Sequence, residues 1–189
     1  MWNEPSAGVA VAALDPSSAG RQPQPAVVAS VEPGSIGEEL GFEPGDQLLS
    51  INGVRPRDLI DYRYLTVEED LTLEVRDSAG ALHCVELEKD ADDGLGLAFT
   101  EALFDGLKQC TNRCPFCFID QQPPGHRDSL YLKDDDYRLS FLYGSYLTLT
   151  NLSESDWSRI EEQRLSPLFV SVHATDPGLR SRLLDNPRA

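Results

Sequence analysis

Apolar residues recur along this chain in two rhythms, and the change between them divides it. From Ala26 to Lys89 they come in short runs and alternations. AVVASV (26–31) reads as a strand, EPGS as a turn, IGEELGF (36–42) as a short helix, and EPGDQLLSING (43–53) as turn, strand and turn. RPRDLIDYRYLT (55–66) reads as a helix with Leu59, Ile60 and Tyr64 on one side. Leu71, Leu73 and Val75 then alternate, and after a Ser78-Ala79-Gly80 turn a second strand carries Leu82, Cys84, Val85 and Leu87. Short strands interleaved with two helices predict an α+β unit, a small and partly open barrel.

Beyond residue 93 the segments lengthen and alternate. Leu97 to Thr100 reads as a strand, and FIDQQPPGHR (118–127) is too rich in Pro and Gly to continue any helix. Asp134 to Gly144 reads as a helix, with acids at its positive end and Gly144 as its stop. Tyr146 to Asn151 is a strand, and Ser153 to Asp156 resembles a capping box that opens a helix to Leu165. Leu168 to His173 is the next strand, and Thr175-Asp176-Pro177 caps a last helix running to about Asp185. Alternation of strand and helix implies a parallel α/β sheet. Residues 1–25, rich in Ala, Ser, Pro, Gly and Gln, have no sustained apolar period and are expected to form a flexible tail. The expected division is therefore 1–25, 26–93 and 94–189.

Charge sharpens the contrast between the halves. The 189 residues carry a formal charge of −16. Residues 1–100 hold 19 acids and 6 bases, a balance of −13, which leaves −3 for the remainder. So acidic a surface repels phosphate backbones, and no nucleic-acid partner is expected. No run approaches the roughly 20 apolar residues of a membrane span, and no basic stretch precedes the N-terminal Ala/Val run, so a cytoplasmic protein is expected.

VEPGSIGEELGFEPGDQLLSING, from Val31 to Gly53, resembles the signature of PDZ domains in their bacterial, circularly permuted order, and the resemblance extends over residues 26–89. The family binds extended C-terminal peptides by strand addition, with a Gly-Φ-Gly-Φ loop capturing the carboxylate. In the permuted order that loop should precede Ala26, but RQPQP stands there. Gly94-Leu95-Gly96-Leu97 has the right letters after the last strand, and is either a displaced carboxylate loop or a linker. A peptide or protein partner is thus implied by the resemblance and left open by the residues.

Three of the four cysteines crowd into CTNRCPFC, from Cys110 to Cys117. In an acidic, cytosolic-looking chain, such crowding points to metal or redox chemistry more than to disulfides. Three inert small residues are one reading. Structural zinc is another, with His126 or Cys84 completing a tetrahedral set, though a second CxxC knuckle is missing. The third is a [4Fe–4S] cluster, which takes four thiolates and would here keep one iron free of protein thiolate.

The CxxxCxxC spacing of Cys110, Cys114 and Cys117, with Phe116 before the last cysteine, matches the motif of the radical SAM superfamily. The stretch from Cys110 to Leu152, with the PDZ-like segment before it, resembles a bacterial family prominent in cyanobacteria. That family joins PDZ to a radical SAM domain and is often labelled an iron–sulfur oxidoreductase. The resemblance implies that the three cysteines hold [4Fe–4S], that the open iron chelates S-adenosylmethionine, and that an electron donor exists. It implies a partial (β/α) radical SAM barrel for residues 94–189. The substrate and the catalytic residues stay unknown.

Chemistry in such barrels gathers at the C-terminal ends of strands. The cysteine loop follows the first predicted strand, Thr150 and Asn151 end the second, and His173 ends the third, so Phe116, Thr150, Asn151 and His173 are the expected cofactor contacts. Thr148-Leu149-Thr150-Asn151 stands where the superfamily usually has a Gly-Gly-Glu-like motif, without the glutamate. His173 reads equally as a polar residue satisfied by loop backbone. Asp134 to Asp136 reads as a solvated helix start before a metal site. Only three strand–helix units precede Ala189, against six in the core it resembles, so the barrel is expected to be truncated and this chain to catalyse nothing alone. The competing class is a protein-interaction module whose cysteines hold structural zinc or an electron-transfer cluster, without SAM chemistry.

Overall fold

The computed structural model describes residues 24–189. The predicted tail, 1–25, lies outside them except for Gln24 and Pro25. The first unit is a five-stranded antiparallel sheet in the order β4-β3-β2-β1-β5, formed by β1 (Ala26–Val31), β2 (Gln47–Ile51), β3 (Asp70–Arg76), β4 (Leu82–Glu88) and β5 (Leu97–Phe99). Two short helices accompany it, α1 (Ile36–Glu39) and α2 (Leu59–Leu65). Alternation puts Leu71, Leu73 and Val75 on one face of β3, where they meet Val28, Leu48, Ile51 and Phe99 in the main core. The strands and the two helices predicted for this stretch are present, and they form a mixed α/β fold with an antiparallel sheet.

One strand changes its role. Leu97–Phe99 is a strand, as expected, but it pairs antiparallel with β1, with Val28 opposite Phe99 and Val31 opposite Leu97. It closes the first sheet and does not open a parallel barrel. Nor is the Gly94-Leu95-Gly96-Leu97 segment a free linker. Leu95 is buried, its carbonyl accepts from the Gly37 amide at 2.8 Å, and the Gly96 carbonyl accepts from Glu32. Gly96 has φ +71, and a Cβ there would run into Ser35 at the start of α1.

The second unit contains α3 (Tyr137–Tyr143), β6 (Tyr146–Leu147), α4 (Glu154–Glu162), β7 (Phe169–Val170) and α5 (Pro177–Leu184), with a 3-10 turn at Asp128–Tyr131. β6 and β7 pair in parallel, Tyr146 with Phe169 and Leu147 with Val170. The strands are far shorter than the predicted 146–151 and 168–173. Side chains take the backbone groups that a longer ladder would use: Asp135 accepts from the Thr148 amide and Ser140 from the Phe169 amide. Leu149 then turns the chain with φ +60. The caps predicted for α4 and α5 are present, with a reciprocal Ser153–Asp156 box and Asp176 accepting from the Leu179 amide.

The two units share α2. Tyr62 packs edge-on against Phe99 in the first core, with ring centroids 4.8 Å apart, while Ile60 joins Tyr137, Leu147 and Leu165 in the second. The predicted apolar side was therefore half right: Ile60 is buried, but Tyr64 is 57% exposed because Tyr62 takes the inward position. Among the described residues, no helix is long and apolar enough to cross a membrane.

Candidate metal centre

The cysteine loop is irregular but tightly held. Its backbone is fixed at three points: the Cys110 amide donates to the Lys133 carbonyl at 2.8 Å, Arg113 to Leu184 at 3.0 Å, and Cys117 back to Cys114 at 3.0 Å. Between the first two cysteines, Asn112 is buried and all its groups are used. Its Nδ2 donates to Thr148 Oγ1 at 2.9 Å, and its Oδ1 accepts from Thr150 at 3.0 Å and from Asn186 Nδ2 at 2.6 Å. The loop is thereby tied to the end of β6 and to the residues after α5. The Arg180 guanidinium, donating to the Thr148 carbonyl, adds a further tie.

All three thiols are free and half-buried. Burial pushes the Cys110 and Cys114 thiols up, and Lys133 opposes this at both. Among the described residues no three His, Cys, Asp or Glu side chains lie together as a single-ion site. Cys84 is exposed on β4, and His126 is exposed on the loop that follows the cysteines. A single zinc needs its donors about 2.3 Å from one point. Three thiolates on one loop are the soft donors that an iron–sulfur cluster takes.

The other expected site residues gather around this loop. Phe116 meets His173, ring centroids 5.6 Å apart and tilted by 33°, so the segment after β7 does reach the cysteine loop. His173 Nε2 lies 3.4 Å from Ser171 Oγ, while its Nδ1 is buried without a partner. Asn151 donates to the Gln109 and Asp135 carbonyls, and its Oδ1 is likewise buried and unpaired. Such orphaned polar atoms are uncommon in folded proteins and suit a polar guest. Thr150 is engaged elsewhere, its hydroxyl bonding Asn112 and Thr148.

The acidic run is not the solvated helix start that was expected. Asp135 and Asp136 are buried: Asp135 holds the Thr148 amide and hydroxyl, and Asp136 caps α3 and binds the Arg138 guanidinium. Burial, with Asp135 and Asp136 beside it, raises the Asp134 carboxyl. Sequence reasoning found the three cysteines but missed Asn112, Lys133, Asp135 and Asn186. Asn112 alone gave a signal, as a non-ligand amide between two cysteines.

Two family models match the chain, one after the other. Residues 89–189, more than half of the chain, match the family model described as a Radical SAM-like domain, and residues 27–77 match that of a PDZ domain. No curated protein matches the chain. Among solved structures, the PDZ domain of an SdrC-like protein from Listeria innocua is similar at 12% identity, over 43% of this chain and 99% of that one, with a TM-score of 0.36.

Proposed function

Since the chain belongs to the Radical SAM-like family, with a PDZ domain before it, we propose that it is a radical SAM iron–sulfur protein in which Cys110, Cys114 and Cys117 hold a [4Fe–4S] cluster. When bound, that group supplies one-electron reductive cleavage of S-adenosylmethionine to methionine and a 5′-deoxyadenosyl radical. The chain's own part is to hold and shield. Asn112 and the Thr148–Thr150 pair fix the loop that carries the thiolates. Phe116 and His173 form an aromatic wall beside Cys117, and the unpaired Nδ1 of His173 and Oδ1 of Asn151 are the groups left to hydrogen-bond a polar cofactor. Thr150 supports this site through Asn112.

The observation that carries the reading is the loop itself: three free thiols on a segment anchored at both ends and met by Phe116–His173. By sequence the unit concerned is 94–189, and the PDZ-like unit, 26–93, borrows β5 from it. We assign that unit to binding a peptide or protein partner, and the protein to a reducing, cytoplasmic setting with a separate electron donor. The test is anaerobic reconstitution with iron and sulfide. We expect a brown protein with about four irons per chain, and formation of 5′-deoxyadenosine by the full-length protein on addition of S-adenosylmethionine and dithionite. Zinc without iron would overturn the reading. Iron without 5′-deoxyadenosine would reduce it to an electron-transfer centre. Cys114→Ala should abolish cluster binding.

A further inference from the structure

Lys133 lies where the two ends of the cysteine loop come together. Its carbonyl accepts from the Cys110 amide, and the neighbouring residues continue the pairing: Asp134 bridges Gln109, and the Asp135 amide donates to Lys108. From this anchored position the ammonium turns back over the loop. It donates to the Asn112 carbonyl at 3.0 Å and to Asp120 Oδ2 at 2.7 Å. Asn112 stands between the first two cysteines and Asp120 just beyond the last, so one charged group spans the whole ligand segment. The side chain is only 20% exposed, which keeps that charge poorly screened.

We infer that Lys133 is a positioning residue with two linked tasks: its ammonium clamps the cysteine loop shut, and it is the fixed cation that sets the charge balance of whatever the three thiolates hold. The second task rests on the iron–sulfur reading above. The Lys133 backbone holds the Cys110 amide, and its charge favours the thiolate at Cys110 and at Cys114. A centre held by three thiolates becomes more negative when it takes up an electron, so a fixed positive charge beside it favours the reduced form and raises the reduction potential. Asp120, half exposed, also faces the loop through the Cys117 thiol and offsets part of the charge.

Lys133→Met and Lys133→Arg, both in the full chain, test the two tasks separately. In metal-free protein, hydrogen exchange of the amides in 110–122 should quicken about tenfold in Lys133→Met, the worth of a charge-assisted hydrogen bond. Lys133→Arg should stay near the parent, and β3 should be unchanged in both. Equal exchange in parent and Lys133→Met would overturn the clamp. In reconstituted protein, an EPR-monitored redox titration should show reduction about tenfold less favourable in Lys133→Met, 59 mV for a one-electron couple, with iron content unchanged and Lys133→Arg close to the parent. A midpoint that is the same in all three proteins would overturn the electrostatic task. A parent protein that binds no iron would sink the cluster reading and that task with it, while hydrogen exchange would still judge the clamp.

Discussion

Arg159 puts its guanidinium between two carboxylates of α2's first turn, 2.7 Å from Asp58 and 2.8 Å from Asp61, and Arg138 adds contacts to Asp58, Asp105 and Asp136. Asp58 is fully buried, and the arginines are 2% and 5% exposed at their side chains. Removing one partner from such a network leaves its carboxylates uncompensated, which costs about 3–5 kcal/mol. We expect Arg159→Met to lower stability by that amount in urea unfolding. The same residues set a pH dependence. Burial pushes the Asp61 carboxyl up, but hydrogen bonds from Arg57 and Gln163 and the charge of Arg159 carry it below its ordinary value. A depressed folded pKa gives stability that is complete above the unfolded value of about 3.9 and drains away as pH falls through the folded one. Unfolding curves from about pH 6 down to about pH 2 should show this loss, and Asp61→Asn should flatten it. The cysteines were legible residue by residue because their type and spacing are chemistry in themselves. Asn112 and Lys133 were not, because their roles depend on partners 36 and 21 residues away.

At the scale of elements, the tight fit of Gly96 against α1 separates two kinds of glycine. Gly80 also has positive φ, +93, but nothing stands within 4 Å of a Cβ there, whereas Gly96 faces Ser35. Gly80→Ala should therefore cost about 1–2 kcal/mol, the conformational term alone, and Gly96→Ala clearly more, in the same unfolding assay. A second check is Ser153→Ala, which removes half of the capping box of α4 and should cost about 1 kcal/mol. Helices announced themselves through caps such as Ser153 and Asp176, which act within three residues. β5 announced itself as a strand but not its neighbour. Three residues of apolar sequence cannot tell a parallel partner ahead from an antiparallel one far behind, and the packing of Leu95 against α1 decided it.

Across the whole molecule the buried ions form a seam between the PDZ-like unit and the cysteine-bearing unit. Asp58 and Asp61 come from the first; Asp105, Asp136, Arg138 and Arg159 follow from the second. The units should open together, with the slowest amides of β3 and α4 reporting one common free energy in native-state hydrogen exchange. Arg159→Met should split them into two. Most of this seam was invisible in the sequence, where its members read as surface charge. The helix α2 that it fastens is buried toward both units, leaving mainly Arg63 and Tyr64 to solvent. Its sequence is thus a joint inheritance of both halves. A chimera that exchanged either half for a foreign one would leave α2 with one face, at Ile60 or at Tyr62, that its new neighbour was not shaped to meet.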